Sequence, residues 1–168
     1  MTELPDRTTP LDVDEEAAWR AFARAVLVVP RVLEADLLTG CGLSLVEYVV
    51  LVNLSEAPGR ALRMNELAAE SVLSTSGTTR VVERMARQGL VERRSAETDG
   101  RGLMAVLTDA GLRRLKEAYP HALASVRSNV MDHLAGLDLA AFARAVGSFA
   151  ADREQPTARG RRPTRRQG

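Results

Sequence analysis

The sequence predicts a mainly α fold with a single two-stranded β hairpin, flanked by long helices from both chain ends. Three observations carry this. Between residues 61 and 89, ALRMNELAAESVLSTSGTTRVVERMARQG, two apolar stripes of helical spacing are interrupted near Val72 to Ser74, the pattern of two short helices joined by a tight turn. Next, LVERR (90–94) and GLMAVL (102–107) have strand-like composition and flank the turn pair Asp99-Gly100. Finally, apolar residues recur at helical spacing near both ends of the chain.

Each element follows from its residues. DEEAAWRAFARAVLVVPRVLEADLL sets Trp19, Phe22, Val26, Val29 and Leu33 along one helix, with acidic residues in the first turn, where the helix dipole favours anions. Pro30 is expected to kink this helix, and the glycines of TGCG end it. Ser44 with Glu47 three residues later is a capping box opening a second helix, LVEYVVLVNLSEA, which stops at Pro58-Gly59. In the third helix Met64, Leu67 and Ala68 form the buried stripe. In the fourth Thr78, Val81, Val82 and Met85 do so, and Gly89 is its stop. After the hairpin, Thr108 caps a long helix read as running to about Gly136, and Asp138 caps a last one.

The 168 residues, 45% hydrophobic, suffice for one domain with its own core, placed at 13–152. Within it the helix-turn-helix and wing span about 44–107, and the flanking helices about 13–38 and 108–152. Residues 1–12 and 153–168 lack apolar periodicity and are expected to be mobile tails. Net charge is +1, but residues 153–168 carry six Arg against one Glu, so the remainder of the chain stands at −4. A basic surface must therefore be local. No window reaches 18 consecutive apolar residues and the N-terminus is acidic, which points to a cytoplasmic protein without a membrane partner. Cys41 is the one cysteine, which excludes an internal disulfide or a cysteine-rich zinc site. His121 and His133 fall about 120° apart around a helix, so no metal or cofactor is expected.

The exposed face of the fourth helix carries Thr75, Ser76, Thr79, Arg80, Arg84 and Arg87. Small hydroxyl residues at a helix start let backbone N–H groups approach phosphates, and arginines one and two turns on reach base edges or backbone. Taken alone, this helix reads equally well as a solvated one with ordinary caps. The hairpin tips the balance: Arg93 and Arg94 lie on one strand and Arg101 at the loop end, with Asp99 two residues away to orient it. An arginine on such a tip suits a narrow minor groove, whereas Asp99-Gly100 alone is also plain turn chemistry.

In order and spacing, LSLVEYVVLVNLSEAPGRALRMNELA, LSTSGTTRVVERMARQGLVERR and DGR followed by AVLTDAG resemble the MarR (multiple antibiotic resistance regulator) family, over about residues 15–150. The resemblance implies a winged helix-turn-helix with a two-stranded β wing and a helical dimerisation region from both chain ends. It implies a homodimer reading a pseudo-palindrome in double-stranded DNA. It places Ser74, Thr75, Ser76, Thr79, Arg80 and Arg84 on a major-groove helix, and Asp99 and Arg101 on a minor-groove wing; Arg94 joins this surface from its strand. It also implies a small aromatic or lipophilic effector between the dimerisation helices and the winged helix, for which Trp19, Phe22 and Tyr48 are the candidates, each equally at home in core packing. The terminal helices support the dimer independently, since Leu112, Leu115, Tyr119, Leu123, Val126 and Val130, and then Leu139, Phe142, Val146 and Phe149, ask for cover.

Two other functions compete with DNA binding. STSGTT lacks the preceding strand and the GxxxxGK[ST] spacing of a phosphate-binding loop, and neither histidine stands in a motif that activates a serine, so catalysis is not expected. A winged helix turned protein-interaction module would offer aromatic or apolar anchors where this chain offers arginines.

Overall fold

The computed structural model describes residues 9–71, 73–95 and 102–154. Helix α1 (Val13–Cys41) is followed by α2 (Leu45–Glu56), strand β1 (Ala61–Arg63), α3 (Met64–Glu70), α4 (Thr75–Arg87), β2 (Val91–Ser95), β3 (Leu103–Leu107), α5 (Asp109–Asn129) and α6 (Leu139–Glu154). The chain divides at Asp132 and His133 into two compact units, the second holding α6.

The boundaries are set by caps. Asp12 and Glu15 form a reciprocal capping box at the start of α1, and Ser44 and Glu47 form one at the start of α2. Gly42, at φ 68°, ends α1 in the left-handed conformation that glycine adopts without strain. The helix runs unbroken through Pro30, inside its bounds. Thr108 caps α5 through Gly111 N–H, and Asp138 accepts from the Ala140 and Ala141 N–H groups at the start of α6.

The expected two-stranded wing is present as β2 and β3, and a third strand, β1, joins it. The sheet has three antiparallel strands in the order β1-β3-β2, with Leu62 opposite Ala105 and Arg93 opposite Ala105 on the other side. The helical spacing from residue 61 onward predicts a helix start at 61–63. Instead Gly59 (φ 63°) and Arg60 (φ 56°) turn the chain after Pro58, and it leaves extended along β3. The long helix also stops earlier than expected, at Asn129, before a short 3-10 turn at Met131–Leu134.

The core of the first unit is built around α2, whose apolar residues lie on every side; Val50, Leu51 and Leu54 are fully buried. Against it pack Leu67 of α3, Val82 and Met85 of α4, Val91, Ala105 and Leu107 of the sheet, and Leu115 and Ala118 of α5. Burying one such leucine or valine contributes about 1.5–3 kcal/mol. All four residues of the α4 stripe, Thr78, Val81, Val82 and Met85, are buried as the spacing predicts. α1 and α5 are tied by polar contacts as well: the Ser125 hydroxyl and the Asn129 amide both donate to Asp36 Oδ2, at 2.6 and 2.9 Å. Among the described residues no single helix is long and apolar enough to cross a membrane.

Candidate nucleic-acid interface

Helix α4 is capped by Ser74, whose Oγ accepts from Gly77 N–H at 3.1 Å and lies 3.3 Å from Ser76 Oγ. Thr79 Oγ1 donates to the Thr75 carbonyl at 3.0 Å, and no carboxylate stands in the first turn. The start of α4 is therefore a set of small hydroxyl side chains and first-turn N–H groups, with nothing acidic in that turn to repel a phosphate. Ser74, Thr75, Ser76 and Arg80 are exposed and Thr79 is half-buried, so the structure gathers these five expected residues on one end of one helix.

Behind them the charges are paired. Arg93 Nη1 of β2 donates to Glu83 Oε1 of α4 at 3.0 Å, and Arg94 donates from Nε and Nη2 to Glu92 Oε2 at 3.0 and 2.7 Å. Both pairs are solvated and worth less than about 1 kcal/mol each. They hold the arginines along the sheet edge, and Glu83, Ala86, Arg87 and Arg93 line an open groove between α4 and β2. Arg94 thus stands on β2, exposed, as the sequence reading placed it. Asp99 and Arg101 lie outside the described residues.

Arg84 has a partner that sequence reasoning missed. Its Nε donates to Glu47 Oε1 at 2.8 Å, and Glu47 is 6% exposed. Burial acts to raise the Glu47 carboxyl, but the hydrogen bonds from Arg84 and from the Ser44 N–H and hydroxyl, with the Arg84 charge, outweigh it and hold the group below its ordinary value. The spacing SLVE announced the capping box, and a capping glutamate in a run of apolar residues was the only available hint of a second role.

Of the aromatic residues expected at an effector site, Tyr48 lines a small apolar cavity between α1, α2 and α5, with Leu33, Leu37, Leu45, Ala122, Ser125 and Val126. The cavity has a volume of only about 30 Å³, far below the about 300–1,000 Å³ of drug-sized sites. Burial, with Tyr119 and Cys41 nearby, pushes the Tyr48 phenol up, so it stands as a neutral O–H. Trp19, 59% exposed, and Phe22, half-buried, lie on the N-terminal half of α1 and are not part of this lining. Cys41 Sγ is 3.2 Å from the Leu37 carbonyl, and the Cys41 carbonyl accepts from Arg114 Nη2.

Comparison with known proteins follows the same lines. A model of the MarR family matches residues 42–102, from the end of α1 through the loop between β2 and β3. The crystal structure of AbsC, a MarR family transcriptional regulator from Streptomyces coelicolor, matches with a TM-score of 0.78 and 38% identity, covering 86% of this chain and 97% of that one. Sco3205, a MarR family transcriptional regulator from the same organism solved in complex with DNA, matches with a TM-score of 0.79 and 31% identity, covering 90% of this chain and 94% of that one. BldR from Sulfolobus solfataricus, at 20% identity and a TM-score of 0.71, covers 85% of this chain and 99% of its own and shares the fold. None of the curated proteins matches the chain.

Proposed function

The chain belongs to the MarR family of winged-helix transcriptional regulators, and on that premise we propose that it binds a pseudo-palindromic operator as a homodimer and releases it in response to a small apolar effector. The observation that carries this reading is the start of α4: Ser74, Thr75, Ser76, Thr79 and Arg80 stand together at a helix N-terminus clear of carboxylates, and Arg93 of β2 is tied to the same helix further along, through Glu83. Such a helix enters a major groove by its N-terminal end, where the hydroxyl side chains let the backbone approach phosphates and Arg80 reaches a base edge. Arg101, with Asp99 beside it in sequence, is the proposed minor-groove arginine. Similarity to a relative crystallised on DNA supports the same partner.

The second copy is supported by apolar side chains left open to solvent. Val13, Trp19, Val26, Leu27 and Val28 on α1, and separately Leu139, Phe142 and Phe149 on α6, are exposed in the single chain. Side chains of this size in such number call for cover. For the effector, the lining of the Tyr48 cavity contains no cationic side chain, and Ser125 already donates to the Asp36 carboxylate. That wholly apolar lining disfavours an aromatic carboxylate, and the cavity must widen before it admits a neutral, ring-sized molecule.

Hydroxyl-radical footprinting on the DNA upstream of the coding region tests the proposal. It is expected to show two protected half-sites about 10 base pairs apart, centre to centre. Arg80→Ala should abolish both together. A single protected patch, or protection that survives the substitution, would defeat the dimeric major-groove reading.

A further inference from the structure

From the Glu47–Arg84 pair we infer that Glu47 is a positioning residue for the DNA interface, and that Arg84 serves recognition through Glu47 rather than as a DNA contact of its own. The inference rests on the reading of α4 as the recognition helix. Glu47 uses both carboxylate oxygens, and each goes to a different element. Oε2 accepts from the Ser44 N–H at 3.0 Å and the Ser44 hydroxyl at 2.9 Å, closing the first turn of α2. Oε1 accepts from Arg84 Nε, on α4, thirty-seven residues away in sequence. The same turn of α2 is also held by α1, since Glu34 Oε2 accepts from the Leu45 N–H. The first turn of α2 is thus the point where α1 and the recognition helix are both fastened, and one buried carboxylate makes the second of these attachments.

The place of Arg84 on α4 agrees. At about 100° per residue, Glu83, Ser76, Arg87 and Arg80 fall within roughly 60° of one another, whereas Arg84 lies about 40° beyond Arg80, on the flank beside buried Val81. It also stands eight residues, about 12 Å along the axis, from Ser76 at the groove-entering end. A guanidinium there is well set to lean back on α2 and poorly set to reach a base. The pair is asymmetric as well. The Arg84 side chain is 46% exposed and water can solvate it if Glu47 is neutralised, but the Glu47 side chain is only 8% exposed and has no such recourse if Arg84 is removed.

The test uses the full-length protein, the upstream duplex it binds most tightly and an unrelated duplex of equal length, titrated over a series of salt concentrations. Glu47→Gln keeps an acceptor for the Ser44 N–H, so the capping box survives while the ion pair is lost. Glu47→Gln and Arg84→Gln are each expected to weaken operator binding about tenfold, with the double variant no weaker than Arg84→Gln alone. Binding to the unrelated duplex and the salt slope should stay as in wild type. Ser44→Ala, which removes the cap hydroxyl and leaves the pair, should lower the melting temperature yet keep the ratio of operator to unrelated binding. That outcome separates positioning from mere support of the fold. A salt slope flatter by about 0.9 per phosphate contact in Arg84→Gln would make Arg84 a direct contact and overturn the inference. So would a Glu47→Gln variant with unchanged or tighter operator binding. A wild-type protein with no preference between the two duplexes would defeat the recognition-helix reading itself, which the wild-type curves show without any variant.

Discussion

Replacing Gly111 by alanine tests how tightly α5 is docked beneath the junction of α4 and β2. A Cβ at this position would lie 2.7 Å from Leu107 Cδ1 and closer still to the Leu90 carbonyl oxygen, so at least 0.7 Å inside the 3.4 Å at which ordinary contact begins. The Leu107 methyl can swing away. The Leu90 carbonyl cannot, because it belongs to the main chain between α4 and β2 and already accepts from Thr108 N–H at 3.1 Å and Thr108 Oγ1 at 3.0 Å. Overpacking of this kind costs about 1–3 kcal/mol, and the immobile carbonyl puts it near the upper end, about 3 kcal/mol. Alanine regains about 1 kcal/mol as the better helix former, which leaves a net loss of about 2 kcal/mol. For a chain of this size that corresponds to a fall in Tm of about 4–8 °C, read by thermal unfolding at one fixed protein concentration. Gly147 of α6 is the control, because a Cβ there meets nothing within 4 Å in the chain, and its alanine variant should not melt lower. A Gly111→Ala protein as stable as wild type would refute the close approach of α5 to Leu90.

Three further outcomes follow from the same structure. Leu51→Ala, at a fully buried position in the middle of α2, should lose about 2–5 kcal/mol in denaturant unfolding, and a loss below 1 kcal/mol would contradict its central place in the core. The folded chain holds the Glu47 carboxyl below its ordinary value of 4.5, so the stability this group adds is present above that value and lost as pH falls through the lower folded one; the gap between wild type and Glu47→Gln should shrink below about pH 4.5, and a gap that widens on acidification would reverse the sign. Light scattering of micromolar protein should give about 36 kDa, twice the 18.2 kDa chain, and a mass of 18.2 kDa would remove the second copy from the account.

What the sequence revealed was local. Ser44 with Glu47, Gly42, Thr108 and Asp138 each stop or start a helix through neighbours no more than four residues away, and the spacing of Thr78, Val81, Val82 and Met85 reports one buried face of one helix. What it concealed depends on partners far along the chain. Residues 61–63 are too few to display a period, and they become a strand only because β3, more than forty residues later, supplies the edge. Arg84 carries no sign in its own neighbourhood that it leans on Glu47, nor Arg93 that it meets Glu83. The three aromatic candidates for an effector site divided for a similar reason: Tyr48 reaches the cavity because α1 and α5 close over α2, whereas Trp19 and Phe22 share an aromatic character with it but not a place.

The most direct test of the central claim is fluorescence anisotropy of the protein against duplexes tiled across the DNA upstream of its own coding region, at two salt concentrations, with Arg101→Ala alongside. The account predicts tight binding to one tile, kept at the higher salt and weakened by the substitution. Equal and weak binding to every tile, lost together as salt rises, would contradict it.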